Sequence, residues 1–325
     1  MGADSKKEEF KIAIPSGLDE SAYVVPADNP MTKEKVDLGR LLFFDKRLSK
    51  DNTIACATCH MTEHAFTDGM PVSKGIKGQK GGRSAPTVIN RAFSTVQFWD
   101  GRAATVEEQA VGPLVNPIEH GFANHAELVK KLNKIKGYKV AFRHVFGTDV
   151  TREGIGKAIA AFERTVLSGN SRSDQYDTEG NEDALSESEK RGLALFRDKA
   201  RCTKCHSGFN FSDEKFHNLG IGMDAPSPDF GRFEVTRKEE DKGSFKTPTL
   251  REIALTAPYM HDGRFKTLDE VVNFYNKGGI KNSFQDSLIL PLDLTEEEKK
   301  DIVAFLHSLN GEGWQQVKAP TKFPE

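Results

Sequence analysis

The same five-residue pattern occurs twice in this chain, as CATCH at residues 56–60 and as CTKCH at residues 202–206. The spacing C-x-x-C-H is typical of a c-type haem attachment site, where two thiols bond to the porphyrin and the adjacent His ligates the iron. These four cysteines are the only ones in the sequence, so none remains for a disulfide. The predicted attachment residues are Cys56, Cys59, Cys202 and Cys205, and the predicted axial ligands are His60 and His206.

Two other kinds of site use paired cysteines, namely a four-ligand zinc site and a thioredoxin-like redox pair. A zinc site would not need a His directly after the second Cys of both pairs. A redox dithiol usually occurs once and close to a βαβ pattern, which this sequence lacks. We therefore predict two covalently bound haems c.

Composition limits the classes of partner. The chain has 325 residues and a formal net charge of −2, so electrostatics gives no support for binding to nucleic acid or to an acidic membrane. The mean hydropathy is −0.54, and no apolar run approaches the roughly 18–20 residues of a membrane helix. The length is sufficient for two domains.

The first residues, MGADSKKEE, lack the charged and apolar regions of a signal peptide. Covalent haem attachment nevertheless normally takes place outside the bacterial cytoplasmic membrane. We therefore expect a periplasmic protein whose export signal has been removed from this sequence.

Other landmarks around the two motifs also occur in pairs and in the same order, which indicates an internal duplication. The fold class that this predicts is mainly α, with two c-type cytochrome domains related by duplication, each around one covalent haem. The paired landmarks are LGRLLFFDK (38–46) and RGLALFRDK (191–199), APTV (85–88) and TPTL (247–250), FWDGR (98–102) and MHDGR (260–264), and the capping signatures Thr105-x-x-Glu108 and Thr267-x-x-Glu270.

The polar stretch at residues 168–188 is predicted to be a linker. We accordingly predict an N-terminal domain at residues 20–170 and a C-terminal domain at residues 180–310. The tails, residues 1–20 and 311–325, carry little pattern and are expected to wrap over the other domain.

The sixth iron ligand distinguishes an electron-transfer haem from a reactive haem. A second strong protein ligand occupies the coordination position that a substrate would need. Met260 lies in MHDGR (260–264), the counterpart of FWDGR (98–102). Its thioether is a candidate sixth ligand, and a thioether ligand raises the reduction potential of the iron. His261 is a rival ligand. The matched residues of the first half, Phe98 and Trp99, cannot ligate iron there. The asymmetry predicts one electron-storage haem and one reactive haem.

Over about residues 30–310 the chain resembles the bacterial dihaem cytochrome c peroxidases. The related methylamine-dehydrogenase maturation enzymes resemble the same scaffold but carry Tyr at the position of Met260, which favours the peroxidase branch. The resemblance rests on both C-x-x-C-H motifs, FWDGR (98–102), QAVGP (109–113), Glu119 and APYMHDG (257–263).

The resemblance implies a low-potential peroxidatic haem in the first half and a high-potential haem with His206 and Met260 in the second. Glu119 would be the acid–base residue beside the peroxide, and Gln109 would hydrogen-bond it. Trp99 would lie between the haems and assist electron transfer. For Glu119 a surface carboxylate, and for Trp99 a core aromatic, are the ordinary alternatives.

The same resemblance implies further partners. Hydrogen peroxide would be the substrate, a small monohaem cytochrome c or similar protein the electron donor, and the assembly a homodimer. One Ca²⁺ is also implied between the domains, held mostly by carbonyl oxygens and water. The residues of this chain that correspond to the calcium ligands of the family are Ser84, where relatives carry Asn, and the backbone from Thr236 to Lys238.

The sequence departs from the family at one loop. Most relatives have a His about sixteen residues after the first motif, which blocks the peroxidatic iron in the fully oxidised enzyme. The corresponding residue here is Ile76, or Lys77 or Gly78 if the register shifts, and no His occurs between His64 and His120. Either the protein naturally lacks this ligand or a substitution, for example at Gly78, has removed it.

A non-enzymatic function also fits the haem motifs, namely a periplasmic electron carrier with incidental peroxidase activity. The presence of Glu119 and Gln109 favours the enzyme, because a carrier needs neither.

Overall fold

The protein is mainly helical, as its sequence predicts, and the computed structural model describes residues 10–325. Within these residues, no helix is both long and apolar enough to cross a lipid bilayer. The helices are α1 (Lys33–Phe44), α2 (Cys56–Cys59), α3 (Val106–Val111), α4 (His125–Leu132), α5 (Lys136–Phe146), α6 (Arg152–Glu163), α7 (Arg172–Asp177), α8 (Glu187–Arg197), α9 (Phe233–Thr236), α10 (Leu268–Asn276) and α11 (Glu296–His307).

Four two-residue strands form two antiparallel pairs. Strand β1 (Ser168–Gly169) pairs with β4 (Glu312–Gly313), which joins the middle of the chain to its C-terminal tail. Strand β2 (Phe216–His217) pairs with β3 (Phe245–Lys246).

The two predicted capping signatures both begin a helix. The Thr105 hydroxyl accepts the Glu108 N–H at 3.1 Å at the start of α3, and Thr267 accepts the Glu270 N–H at 3.2 Å at the start of α10. Such caps satisfy backbone donors that have no partner within the helix.

One close helix crossing is present in each half of the chain. Helix α1 crosses α6 at Gly39, where a methyl group added to the glycine would lie 1.9 Å from the Ala158 carbonyl oxygen. Helix α8 crosses α11 at Gly192, where such a group would lie 1.9 Å from the Asp301 carbonyl oxygen. Only a residue without a side chain allows the two backbones of each pair to approach so closely.

Aromatic packing beside these crossings also matches. The rings of Phe43 and Phe162 lie 5.1 Å apart at 58°, and those of Phe196 and Phe305 lie 5.1 Å apart at 58°. These four residues occupy corresponding places in the two halves of the chain.

Two buried hydrophobic clusters follow the halves of the chain. The first draws on residues between Leu38 and Val166, and the second on residues between Leu185 and Leu309. Trp314 is the exception, because it belongs to the first cluster although it lies in the C-terminal tail. The domain limits at 20–170 and 180–310 stay a prediction.

Both chain ends cross to the opposite half. In the C-terminal tail, the Lys318 carbonyl accepts from Arg40 Nη1 at 3.1 Å, and the Glu325 carbonyl accepts from the Gly137 N–H. Near the N-terminus, the Gly17 carbonyl accepts from Arg251 Nη2 at 3.0 Å. Residues 1–9 of the N-terminal tail lie outside the described part of the chain.

The polar segment at residues 168–188, which is predicted to be a linker, is buried in its first part and exposed at residues 177–183. Ser168, Ser171, Ser173 and Asp174 are buried. Their polar groups are used in hydrogen bonds: Ser171 caps α7, and Asp174 accepts from both terminal nitrogens of Arg251 at 2.7 and 2.9 Å. In this first part, polar side chains serve specific bonds rather than contact with solvent.

The Asp174–Arg251 pair predicts loss of stability in acid. Burial is the largest single effect on the pKa of Asp174 and raises it, but the hydrogen bonds and charge of Arg251 together with the Ser171 hydrogen bonds outweigh burial and hold the pKa below its ordinary value of 3.8. Because the pKa of Asp174 is lower in the folded protein than in the unfolded one, the ionised carboxylate stabilises the fold at pH values above 3.8. This contribution disappears as the pH falls through the pKa of the folded state. Each unit of depression corresponds to about 1.4 kcal/mol.

We expect the thermal midpoint to fall as the pH is lowered below about 4. Asp174→Asn should weaken this dependence, whereas Asp149→Asn, at an exposed ion pair, should affect it less. Equal acid sensitivity in the wild type and Asp174→Asn would contradict this assignment.

Candidate haem sites

The first attachment motif forms the short helix α2 followed directly by His60. The His60 ring nitrogen Nδ1 lies 3.1 Å from the Phe66 carbonyl oxygen. Burial lowers the pKa of His60, which favours the neutral ring. With Nδ1–H donated to a carbonyl, Nε2 carries the lone pair that an iron atom requires.

The second motif repeats this arrangement. His206 Nδ1 lies 2.9 Å from the Phe211 carbonyl oxygen, and burial lowers the pKa of His206 as well. Both imidazoles therefore have the orienting bond that haem ligation needs.

The two cysteine pairs lie in different parts of the structure. Cys59 lines one cavity, and Cys202 and Cys205 line another. The two pairs therefore do not form one four-thiolate centre.

The first cavity brings together residues that are far apart in the sequence. His60, Trp99, Gln109 and Glu119 all line it. Gln109 projects from α3, and Glu119 lies in the loop that follows Pro117. The predicted peroxidatic residues thus share one cavity with the predicted axial ligand.

Glu119 is held by its neighbours. Asn116 Nδ2 donates to Glu119 Oε1 at 2.7 Å, and the Ile76 N–H donates to the Glu119 carbonyl at 3.0 Å. Burial raises the pKa of the Glu119 carboxyl. A raised pKa suits a group that must accept and return a proton.

The loop that lacks a His packs against the Glu119 segment. Ile76 is buried, and Gln79 Nε2 donates to the Pro117 carbonyl at 3.3 Å. The nearest histidines in sequence have other environments: His64 is exposed, and His120 Nδ1 lies 3.0 Å from the Leu48 carbonyl.

The second cavity is largely apolar, and its lining includes both His206 and Met260. Met260 has a left-handed φ of 74°, and its repeat equivalent Phe98 has 69°. The rival ligand His261 also lines this cavity, but its ring stacks on Phe245 with centroids 3.6 Å apart.

Trp99 lies at the wall that the two cavities share. Its Nε1–H donates to the Ser84 carbonyl at 2.9 Å, and its own carbonyl accepts the Lys246 N–H at 2.8 Å. Trp99 is thus fixed between the two halves of the chain.

The predicted calcium residues have other bonds. Ser84 is buried, its N–H donates to the His261 carbonyl at 2.7 Å, and its carbonyl accepts from Trp99. The Thr236 hydroxyl donates to Asp241 at 2.5 Å, and Lys238 is exposed. The calcium site stays a prediction.

Sequence reasoning missed His217, which lies beside the second motif. His217 bonds to Asp213 at 2.9 Å and to Asp286 at 2.5 Å, and its pKa is raised to about 10 by Cys205 and these carboxylates. Among the described residues, Cys205, Asp213 and His217 place possible metal ligands within 4.8 Å of one another. Because Cys205 belongs to the haem motif, we do not assign this group to a separate metal.

Arg91, Glu163 and Lys246 were also missed. All three line the first cavity, and Arg91 and Lys246 line the second as well. Arg91 follows APTV (85–88) and Lys246 directly precedes TPTL (247–250), but no local pattern in the sequence indicates that these residues and Glu163 meet.

Comparison with known proteins identifies one family, whose matching members are named both as MauG proteins and as cytochrome c peroxidases. The family model described as di-haem cytochrome c peroxidase matches residues 33–183. The chain is 39% identical to the methylamine utilization protein MauG of Methylophilus methylotrophus, covering 91% of this chain and 88% of that protein. It is 37% identical to the cytochrome-c peroxidase IdrP1 of Pseudomonas sp. (strain SCT), covering 88% and 83%.

A solved structure agrees with these relatives. A MauG-like protein associated with microbial copper homeostasis has a TM-score of 0.83 at 37% identity, covering 92% of this chain and 96% of that one.

Proposed function

Because the chain belongs to the di-haem cytochrome c peroxidase family, we propose that it reduces hydrogen peroxide to water in the periplasm. The balanced reaction is H2O2 plus two electrons and two protons, which gives two molecules of water. The observation that carries this proposal is that Glu119 and Gln109 line the same cavity as His60.

Two haems c are the cofactors that the residues fit. Cys56, Cys59 and His60 would hold the first, and Cys202, Cys205, His206 and Met260 the second. When bound, the haems supply the redox-active iron that accepts electrons and cleaves the O–O bond. The carbonyl bonds to Nδ1 of His60 and His206 orient both rings for this ligation.

Glu119 moves the proton in this mechanism. Cleavage of the O–O bond requires a proton to leave the inner oxygen of the peroxide and to reach the outer one, and one positioned carboxylate can do both. Asn116 holds the Glu119 carboxyl in place through Oε1. Gln109 orients the peroxide by a hydrogen bond from the same cavity.

Met260 would hold the second haem together with His206, and a thioether ligand would favour the reduced state of its iron, as suits the haem that accepts electrons from a donor. Trp99 lies in the wall between the cavities and would assist electron transfer from the second half to the first. A small monohaem cytochrome c or a similar protein is the proposed donor.

The organisation that we propose has two duplicated domains, at residues 20–170 and 180–310, with one haem in each. The matching crossings at Gly39 and Gly192 support it. A homodimer and one Ca²⁺ near Ser84, Thr236 and Lys238 complete the proposal, and both rest on the resemblance to the family.

The proposed activity is tested by measuring peroxide consumption with a reduced c-type cytochrome as donor. We expect two donor molecules to be oxidised per peroxide, without a lag, when the reaction starts from fully oxidised enzyme. The reason is that loop 75–79 carries no His to occupy the first iron and Ile76 is held against Glu119.

Enzyme pre-incubated with one reducing equivalent is the control, and it should react at the same initial rate. Donor oxidation without peroxide consumption would identify an electron carrier instead. An EPR spectrum of the oxidised protein that shows two histidine ligands on the first haem would contradict the predicted open site.

A further inference from the structure

The wall between the two cavities contains a cation without a carboxylate partner. Arg91 lines both cavities, and its Nε and Nη2 donate only to the neutral Gln97 Oε1 at 2.8 Å and the Val96 carbonyl at 3.1 Å. Among the described residues, no carboxylate oxygen forms an ion pair with it. The Arg91 side chain is half-buried, and this burial lowers the pKa of its guanidinium.

The surroundings add to this positive charge. Lys246 is buried in the same wall, but its Nζ already pairs with Glu214 Oε1 at 2.8 Å. Glu163 also faces the first cavity, but it forms no ion pair with Arg91, and burial raises the pKa of its carboxyl to about 8. Glu163 and Glu214 therefore act on Arg91 only at longer range, and neither is its hydrogen-bonded partner.

A guanidinium that faces a cavity and has no ion pair favours an anion in the space that it faces. The planar guanidinium matches a carboxylate in particular, because it can donate two parallel hydrogen bonds. A haem carries two carboxylate side chains, and a haem is the ligand proposed for each cavity that Arg91 lines.

We propose that Arg91 binds a haem carboxylate at the shared wall and so raises the reduction potential of that haem. This inference rests on the proposed binding of two haems. Arg91 is a positioning and charge-compensating residue and does not touch the peroxide.

The test uses the holoprotein and the substitution Arg91→Gln, which removes the charge but keeps a hydrogen-bond donor. Haem content is measured first, and two covalent haems per chain are expected in every variant. A wild-type protein without two haems would contradict the proposed function, independently of Arg91.

Redox titration then gives both reduction potentials. In Arg91→Gln we expect the Fe(III)/Fe(II) ratio of at least one haem to rise about tenfold at a fixed ambient potential, which is a fall of about 59 mV. The control Arg143→Gln removes a charge from an exposed ion pair on α5 and should leave both potentials unchanged. Unchanged potentials in Arg91→Gln with two haems bound would overturn the inference.

The conservative variant Arg91→Lys provides a second measurement if Arg91→Gln loses haem. Lysine keeps the positive charge but lacks the two parallel N–H donors of the guanidinium. The infrared carboxylate bands of haem labelled with ¹³C in its carboxyl groups should therefore shift. Bands identical to those of the wild type would overturn the inference.

Discussion

Replacement of Glu119 by Gln is expected to lower the rate of peroxide reduction by about 10²–10⁴-fold. The substitution keeps the size of the side chain and its contact with Asn116, which lies 2.7 Å from Oε1. It removes the ability to accept a proton from one oxygen of the peroxide and return it to the other. The measurement is steady-state peroxide consumption with a reduced cytochrome donor.

The pH profile gives a second readout of the same residue. Burial raises the pKa of Glu119 above its ordinary value of 4.5, and the carboxyl must be ionised before it can act as a base. The value of kcat/KM should therefore fall as the pH is lowered through this raised pKa. In Glu119→Gln this decrease of kcat/KM at low pH, the acidic limb of the profile, should be absent.

Glu153→Gln is the matched control, because Glu153 is an exposed carboxylate in the first turn of α6. It should retain wild-type turnover and the acidic limb. If Glu119→Gln binds two haems and still turns over at the wild-type rate, the acid–base role of Glu119 is wrong.

Introducing Ala at Gly39 or at Gly192 is expected to destabilise the protein by more than about 3 kcal/mol. In each case the new methyl group would lie 1.9 Å from a backbone carbonyl oxygen of the facing helix. A backbone atom cannot move aside as a flexible side chain can, so the helices must separate. This cost exceeds the gain of about 1 kcal/mol that Ala brings to a helix.

Thermal unfolding of the holoprotein measures both variants. The effects should be similar, because α1–α6 and α8–α11 make the same kind of crossing. Gly82→Ala is the control, since a methyl group there would meet no atom within 4 Å, and it should leave the unfolding midpoint unchanged. A tolerated Gly192→Ala beside a damaging Gly39→Ala would argue against equivalent packing in the two halves.

The haem motifs and helix starts could be predicted because they are local. Covalent attachment requires two thiols and a His within five residues, and a helix cap requires a hydroxyl three residues from the N–H that it accepts. The same logic indicated Met260, since it occupies a matched position in a repeated segment. Such signals depend only on the spacing of residues along the chain, and this spacing can be read directly from the sequence.

Composition does not indicate where polar groups bond to one another inside the protein. Residues 168–188 are polar and are predicted to form a linker, and within them Asp174 is buried against Arg251, 77 residues further along the chain. Hydropathy cannot indicate such a pair, because it assigns each side chain a value without its partner.

The sequence by itself determined that this chain carries two C-x-x-C-H motifs, is mainly helical and resembles the di-haem peroxidases. Only the tertiary structure decided that Ile76 bonds to the Glu119 loop, that Trp314 joins the first core and that Arg91 faces both cavities. The physical reason is distance along the chain. Attachment chemistry depends on neighbouring residues, whereas a counter-ion or a cavity wall depends on segments that meet only after folding.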